Sequence, residues 1–190
     1  MRRHPLVKYG SAAQCFSSPS TTTRDTFYDK AKHMTSSEFK SAILEWYQGE
    51  IFGEVFFNEL LANTVEPRLC YKLSLLLQLE TETKARLRPV VVAEGLSLCE
   101  KAEFRSAANE AAAAFRDLTW MQTMTQIVEI VVPAVARYQA IVEMSPDQYA
   151  VLSGSMLLHE QAILDFAKLE LAGNQGEAEA LILNLLYYKL

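Results

Sequence analysis

Four glutamates lie on otherwise apolar faces of predicted helices, where charged side chains are uncommon. They are Glu54, Glu80, Glu129 and Glu160. Burying an isolated carboxylate costs several kcal/mol, so such a group is normally paired, protonated or bound to a metal ion. Carboxylates that converge also repel one another, and a cation between them relieves that repulsion. The four glutamates are therefore the candidate metal ligands of this sequence.

The first of these glutamates lies in the largely apolar segment GEIFGEVFF, residues 49–57. On a helical wheel of about 100° per residue, Glu54 falls on the apolar stripe of its helix. Glu50, one turn earlier, falls at the margin of the same face. Gly49 and Gly53 lie along one edge, a position that favours close approach of another helix over a ligand-binding loop.

The distances of the glutamates from the predicted turns place them at similar heights. Glu129 lies 16 residues before Ser145 and Glu160 lies 15 residues after it. At about 1.5 Å per residue, these two acids reach nearly the same level in an antiparallel hairpin. Glu54 and Glu80 differ by less than a turn in their distance from the turn that joins their helices. We therefore expect the four carboxylates to converge near a common point.

Helix-start and helix-stop signals define the elements that carry these residues. Thr35 opens a T-S-S-E capping box, Pro67 begins a new helix, and Ser145 precedes a proline at a first helical position. Pro89 and Gly173 mark two helix ends. The predicted helices cover residues 35–63, 67–88, 117–142, 145–172 and 177–190, with a partly helical crossover at 89–116.

The composition is typical of a single helical domain. Half of the 190 residues are hydrophobic, and only 7 Gly and 6 Pro interrupt a chain rich in good helix formers. The sequence predicts an all-α protein, an antiparallel four-helix bundle with a crossover segment and a short C-terminal fifth helix. Residues 1–33 are expected to be a disordered N-terminal segment, and residues 34–190 a single helical-bundle domain.

The order of the four glutamates resembles the ferritin-like superfamily. In those proteins one Glu from each of two helices and an E-x-x-H motif from each of the other two hold two irons. The resemblance covers about residues 35–172, and Thr83 and Ile163 stand where E-x-x-H has histidine. The resemblance implies that iron or manganese binds at the four glutamates, Glu54, Glu80, Glu129 and Glu160. The implied activities are oxidase, hydroxylase or metal-handling chemistry.

A metal-free interpretation stays open beside this one. Lys84 lies four residues after Glu80 on the same helix face, so its ammonium can join Glu54 and Glu80 in a buried network. The protein would then be a non-catalytic bundle that serves as a structural or protein-interaction module. His159 lies about 100° from Glu160 on the wheel and is expected to face a neighbouring helix or solvent.

Charge, cysteine content and hydropathy narrow the classes of partner. The formal net charge is −5, and the acids are concentrated beyond residue 33, which argues against nucleic-acid binding. The three cysteines show no C-x-x-C spacing, so we expect a reducing cytoplasm without disulfides or structural zinc. No uninterrupted apolar run reaches the roughly 18 to 20 residues of a membrane span. The nature of a small-molecule substrate does not follow from the sequence.

The two ends of the chain carry the remaining predictions. Residues 1–33 are basic and rich in Ser and Thr, and a targeting segment is the alternative to a plain disordered tail. The C-terminal helix is strongly apolar, with Leu181, Leu185 and Tyr187 among its residues. We expect this helix to pack across a subunit boundary or to cap the bundle, and the protein to be a homodimer.

Overall fold

Residues 34–187 are described by a computed structural model of the protein, and this part of the chain is all-helical with no strand. The prediction of an all-α fold is confirmed. Predictions for residues 1–33 and for the last three residues lie outside the described part. The structure has six α-helices and a short 3-10 helix at Asp147–Tyr149. The α-helices are α1 (Ser36–Ala62), α2 (Pro67–Ala93), α3 (Ala102–Phe115), α4 (Trp120–Met144), α5 (Ala150–Leu171) and α6 (Gln175–Leu185).

The helices begin at side chains that satisfy their first backbone N–H groups. The predicted capping box at Thr35 is present, with Glu38 closing it. A second capping box joins Thr119 and Gln122, so α4 begins three residues later than predicted. After Ser145, which caps the end of α4, the 3-10 turn precedes α5, where the sequence predicted a direct helix start.

The end of α2 differs from the prediction, because the helix continues through Pro89 to Ala93. Proline removes a single backbone hydrogen bond, and its ring lies on an exposed side of the helix. Gly95 supplies the actual stop. It adopts a φ of 70°, and the N–H of Leu96 donates to the Val91 carbonyl at 2.9 Å, the hydrogen bond of a Schellman motif.

The helices pack as two hairpins with two additional helices. α1 packs against α2, and α4 packs against α5, which agrees with the predicted hairpin pairs. α3 lies against α1, and α6 lies against α5 and α2. Aromatic side chains join the two hairpins, since the rings of Trp46 and Tyr138 lie 6.0 Å apart in an edge arrangement. None of the described helices combines the length and apolar character that crossing a bilayer requires.

The C-terminal helix finds its apolar partners within the same chain. Ala178, Ile182 and Leu186 are buried in the main hydrophobic cluster. Arg68 of α2 pairs with Glu179 at 2.7 Å, and Glu82 accepts a hydrogen bond from the backbone N–H of Tyr187. This helix therefore packs onto α2 and α5 of its own chain.

A buried charged network ties the hairpins together at the end opposite the aromatic contact. Lys72 of α2 donates to Glu170 of α5 at 2.6 Å, and both side chains are at most 1% exposed. The indole N–H of Trp120, at the start of α4, donates to the same carboxylate oxygen at 2.7 Å. The ammonium also lies 5.5 Å from the centre of the Trp120 ring. Three helices therefore meet at one buried carboxylate.

Candidate metal centre

Two carboxylates and an imidazole from three helices meet in the interior. Glu50 of α1, Glu80 of α2 and His159 of α5 are 1%, 4% and 2% exposed. His159 Nε2 lies 3.5 Å from Glu50 Oε2 and 3.5 Å from Glu80 Oε2. One ligand atom from each residue lies within 4.8 Å of the other two, so the three groups surround a common point.

Gly53 makes room for one of the carboxylates. A Cβ at this position would lie closer than 3.0 Å to all three atoms of the Glu80 carboxyl group. The Glu80 side chain therefore fills the space that a larger residue on α1 would occupy. Gly49, one turn earlier, faces the hydroxyl of Tyr138, which would lie 3.6 Å from a Cβ there. The glycines of the segment 49–57 thus bring polar groups of two other helices against α1.

Four further polar groups surround the three central ones. Thr83 Oγ1 lies 3.1 Å from His159 Nδ1 and accepts a hydrogen bond from Arg86 at 2.8 Å. Tyr138 lies near Glu160, the residue after His159, and its hydroxyl lowers the pKa of the Glu160 carboxyl group. The site therefore contains ionisable groups from α1, α2, α4 and α5.

The environment favours the protonated form of Glu50. Burial raises the pKa of Glu50 well above its usual range, and the nearby Glu80 and Glu160 carboxylates raise it further. The interaction of its carboxyl group with the neighbouring Glu80 carboxyl group raises the pKa of Glu50 as well. The second oxygen of Glu50, Oε2, is buried without a hydrogen-bond partner. An oxygen in this state has a lone pair available to a cation.

The neighbouring groups titrate under the same influences. Burial raises the pKa of Glu160 to about 7, although His159 acts in the opposite direction. Burial lowers the pKa of His159, but the Glu80 and Glu160 carboxylates outweigh it and leave the value above normal. Burial and the surrounding carboxylates raise the pKa of the Tyr138 phenol. Perturbed ionisable groups of this kind are concentrated at functional sites.

Replacing Glu50 with glutamine is expected to stabilise the metal-free protein increasingly as pH rises. The pKa of Glu50 in the folded protein is raised above its ordinary value of 4.5. The protonated carboxyl group therefore makes its full contribution to stability only below about pH 4.5. That contribution is lost as pH rises through the folded pKa. The glutamine side chain does not titrate and avoids this loss. The stability of the variant relative to the wild type should therefore increase from pH 5 to pH 8.

Urea unfolding in the presence of a chelator at pH 5, 6.5 and 8 measures this effect. Glu129→Gln makes the same chemical change at an exposed site and serves as the matched control. A stability difference for Glu50→Gln that stays constant or shrinks between pH 5 and pH 8 would contradict the expectation.

The structure brings together only two of the four predicted glutamates. Glu80 lies at the centre of the cluster and Glu160 at its edge. Glu54 is half-buried, accepts a hydrogen bond from Thr81 at 2.9 Å and is paired with Lys84. Glu129 is exposed and accepts a hydrogen bond from Gln126 at 3.0 Å. The expectation that all four carboxylates converge is therefore corrected.

The carboxylate partners of Lys84 differ in part from the predicted ones. Lys84 is buried and pairs with Glu54, but its second carboxylate partner is Glu100, at 3.5 Å, and not Glu80. Glu100 belongs to the segment that joins α2 to α3. The ammonium therefore ties this segment to α1, while Glu80 remains with Glu50 and His159.

Two central residues were absent from the predicted ligand set. Glu50 was placed at the margin of its helix face, and His159 toward a neighbouring helix or solvent. Both are buried, and His159 faces α1 and α2. The signal for Glu50 was the repeated Gly-Glu pair, since glycine at one turn of a helix allows a polar group from a neighbouring helix to approach.

Comparisons of the chain with protein-family models, curated proteins and solved structures gave no match. The chemistry of the site therefore follows from its own residues. A nitrogen and two oxygen donors are a set that zinc, iron and manganese accept. Bonds of about 2.1 Å at tetrahedral angles place donors roughly 3.4 Å apart. The two 3.5 Å separations from His159 Nε2 fit this geometry.

Proposed function

We propose that this protein is a ferritin-like, four-helix carboxylate protein that binds one divalent transition-metal ion at Glu50, Glu80 and His159. The observation that carries the proposal is the meeting of three buried ligand atoms from three helices. The two packed hairpins and their aromatic contact support the four-helix arrangement. Iron, manganese and zinc are metals that suit mixed imidazole and carboxylate donors.

The donor set favours one ion over the pair that the ferritin-like resemblance implies. Glu54 and Glu129, two of the four glutamates expected to hold two metals, lie outside the cluster. The three central donors leave coordination positions for water or substrate, as catalytic sites require. A bound iron or manganese ion would supply the redox or Lewis-acid chemistry of an oxidase, a hydroxylase or a metal-handling protein.

The residues of the chain have distinct parts in this proposal. Glu50 contributes the oxygen that is buried without a hydrogen-bond partner, and it must release its proton to coordinate a cation. The Glu80 carboxyl group fills the space that a side chain at Gly53 would occupy. Glu160 lies beside the ligand set with a pKa of about 7, so it is suited to accept the proton that a ligand releases.

The close approach of Glu80 to Glu50, which raises the pKa of Glu50, favours a second candidate function. In this alternative the carboxyl pair shares a proton, and His159 and Arg86 compensate the remaining charge. The polar cluster would then be structural, and the protein a non-catalytic interaction module. Buried polar residues retained for specificity of packing are known in other proteins.

Metal titration of the purified protein tests the proposal. After chelation and dialysis, calorimetric titration with Mn²⁺ or Zn²⁺, or with Fe²⁺ under argon, should give one equivalent bound per chain. Glu80→Gln and His159→Asn should each weaken binding by more than about 100-fold, because loss of supporting residues alone costs 10- to 100-fold.

Two matched controls test whether metal binding depends on this cluster or only on the negative charge of the protein. Glu129→Gln and Glu54→Gln remove carboxylates that lie outside the cluster, and both should bind metal like the wild type. Binding well below one equivalent in the wild type, or equal binding by Glu80→Gln, would reject the metal site and leave the structural alternative.

A further inference from the structure

Thr83 contacts the side of the imidazole that faces away from the carboxylates. Its hydroxyl oxygen lies 3.1 Å from His159 Nδ1, and the threonine is 3% exposed. On the opposite edge of the ring, Nε2 lies 3.5 Å from each carboxylate oxygen. Thr83 and the metal site therefore hold opposite edges of the same ring.

The hydroxyl of Thr83 can hydrogen-bond to His159 Nδ1 in either tautomer of the ring. Arg86 Nη2 donates to Thr83 Oγ1 at 2.8 Å, and a guanidinium can only donate. The oxygen keeps a second lone pair and one rotatable proton. It can therefore accept from a protonated Nδ1 or donate to a deprotonated one. Only the first arrangement leaves the Nε2 lone pair free for a cation.

We propose that Thr83 is a positioning residue that accepts a hydrogen bond from the protonated Nδ1 of metal-bound His159 and directs Nε2 toward Glu50 and Glu80. This inference rests on the proposed metal site and adds a residue that does not touch the ion. Metal-bound histidines generally donate their other N–H to a fixed acceptor, which sets the orientation of the ring. Thr83 is the acceptor that the geometry supplies.

Arg86 has a secondary part in this arrangement. It is exposed, and it reaches the ring through Thr83. Its positive charge lowers the pKa of Glu50 and of His159. A cation in the site would have the same effect on both groups. Removing this charge should therefore leave cation affinity unchanged or higher, because like charges repel. Loss of the Thr83 hydroxyl is thus expected to lower metal affinity and loss of the Arg86 charge is not, although the two residues are hydrogen-bonded to each other.

Four variants of the full chain test the role of the hydroxyl. Thr83→Val removes it at nearly constant shape, and Mn²⁺ or Zn²⁺ affinity measured by calorimetry should fall by about 10- to 100-fold. Thr83→Ser keeps the hydroxyl and should bind nearly as well as wild type. Thr123→Val changes a buried threonine of α4 outside the cluster and should have no effect. Arg86→Met should bind at least as tightly as wild type.

Nitrogen NMR of the wild-type protein gives a second readout that needs no variant to fold. With one equivalent of Zn²⁺, long-range nitrogen–proton correlations of His159 should show a protonated Nδ1. A zinc-bound ring that carries its proton on Nε2, or wild-type affinity in Thr83→Val, would overturn the role of Thr83 while the metal site stands. Equal losses in Thr83→Ser and Thr83→Val would assign the effect to packing and overturn it as well. Failure of the wild type to bind either metal would overturn both the metal site and this inference.

Discussion

Lys72→Met is expected to lower the free energy of unfolding by about 3–5 kcal/mol, the usual cost of removing one partner from a buried ion pair. The Lys72 and Glu170 side chains are almost completely excluded from solvent and lie 2.6 Å apart. Without the ammonium, Glu170 keeps only the indole N–H of Trp120 as a partner, and its other oxygen already lacks one. A buried carboxylate in this state must either take up a proton or draw in water, and both cost free energy.

The double variant Lys72→Met/Glu170→Gln separates the charge from the packing. The glutamine carbonyl can still accept from Trp120, and no charge is left buried, so most of the lost stability should return. Lys168→Met, an exposed lysine of α5 at 4.0 Å from Asp165, is the matched control and should change stability by less than about 0.5 kcal/mol. Urea unfolding measures all three variants. A loss below about 1 kcal/mol for Lys72→Met would show that solvent reaches this network.

Gly53→Ala is expected to reduce metal affinity by at least about 10-fold while the chain still folds. The added methyl group occupies the position that the Glu80 carboxyl now fills, so this side chain must leave the cluster. The helix itself gains about 1 kcal/mol from alanine in place of glycine, which offsets part of the repacking cost. A variant that loses metal without a large loss of stability would separate the position of Glu80 from the integrity of the fold.

Gly154→Ala is the control for the change in backbone propensity. Gly154 lies within α5, and beyond its chain neighbours and the adjacent backbone of its own helix no described atom lies within 4 Å of its Cβ position, so alanine there should stabilise the protein by about 0.5–1 kcal/mol. Its metal affinity should equal that of the wild type. Calorimetric titration and urea unfolding of both variants give the comparison. Unchanged metal affinity in Gly53→Ala would show that the position of Glu80 does not depend on the absence of a side chain at Gly53.

The sequence predicted most of the helical framework because local signals control it. The capping box at Thr35, the proline at position 67 and the glycine at position 173 each act within a few residues of a helix end. Glu80 was placed inward correctly because α2 has a clear apolar stripe on a single side. Pro89 was overvalued as a stop, since one missing hydrogen bond late in a helix does not end it while the following residues still pack.

The candidate site was harder to predict, because it depends on the rotation of each helix against its neighbours. α4 is apolar on nearly every side, so its single central acid, Glu129, gave no reliable direction, and it points to solvent. In α5 the buried face includes Ser153 and His159, whereas Leu158 is 54% exposed. Hydrophobicity alone therefore gave no sign that His159 lies inside. The pairing of polar groups across helices decided which residues are inside.

The ligands of the proposed site are far apart in the order of synthesis. Glu50 and Glu80 belong to the first hairpin, and His159 belongs to α5, the last helix of the second. A chain that has completed only α1 and α2 has two of the three donors, and its metal affinity would be low. Because the imidazole arrives only when the second hairpin docks, a bound ion would favour the docked form over partly assembled ones. Retention of metal would then mark molecules that have finished folding.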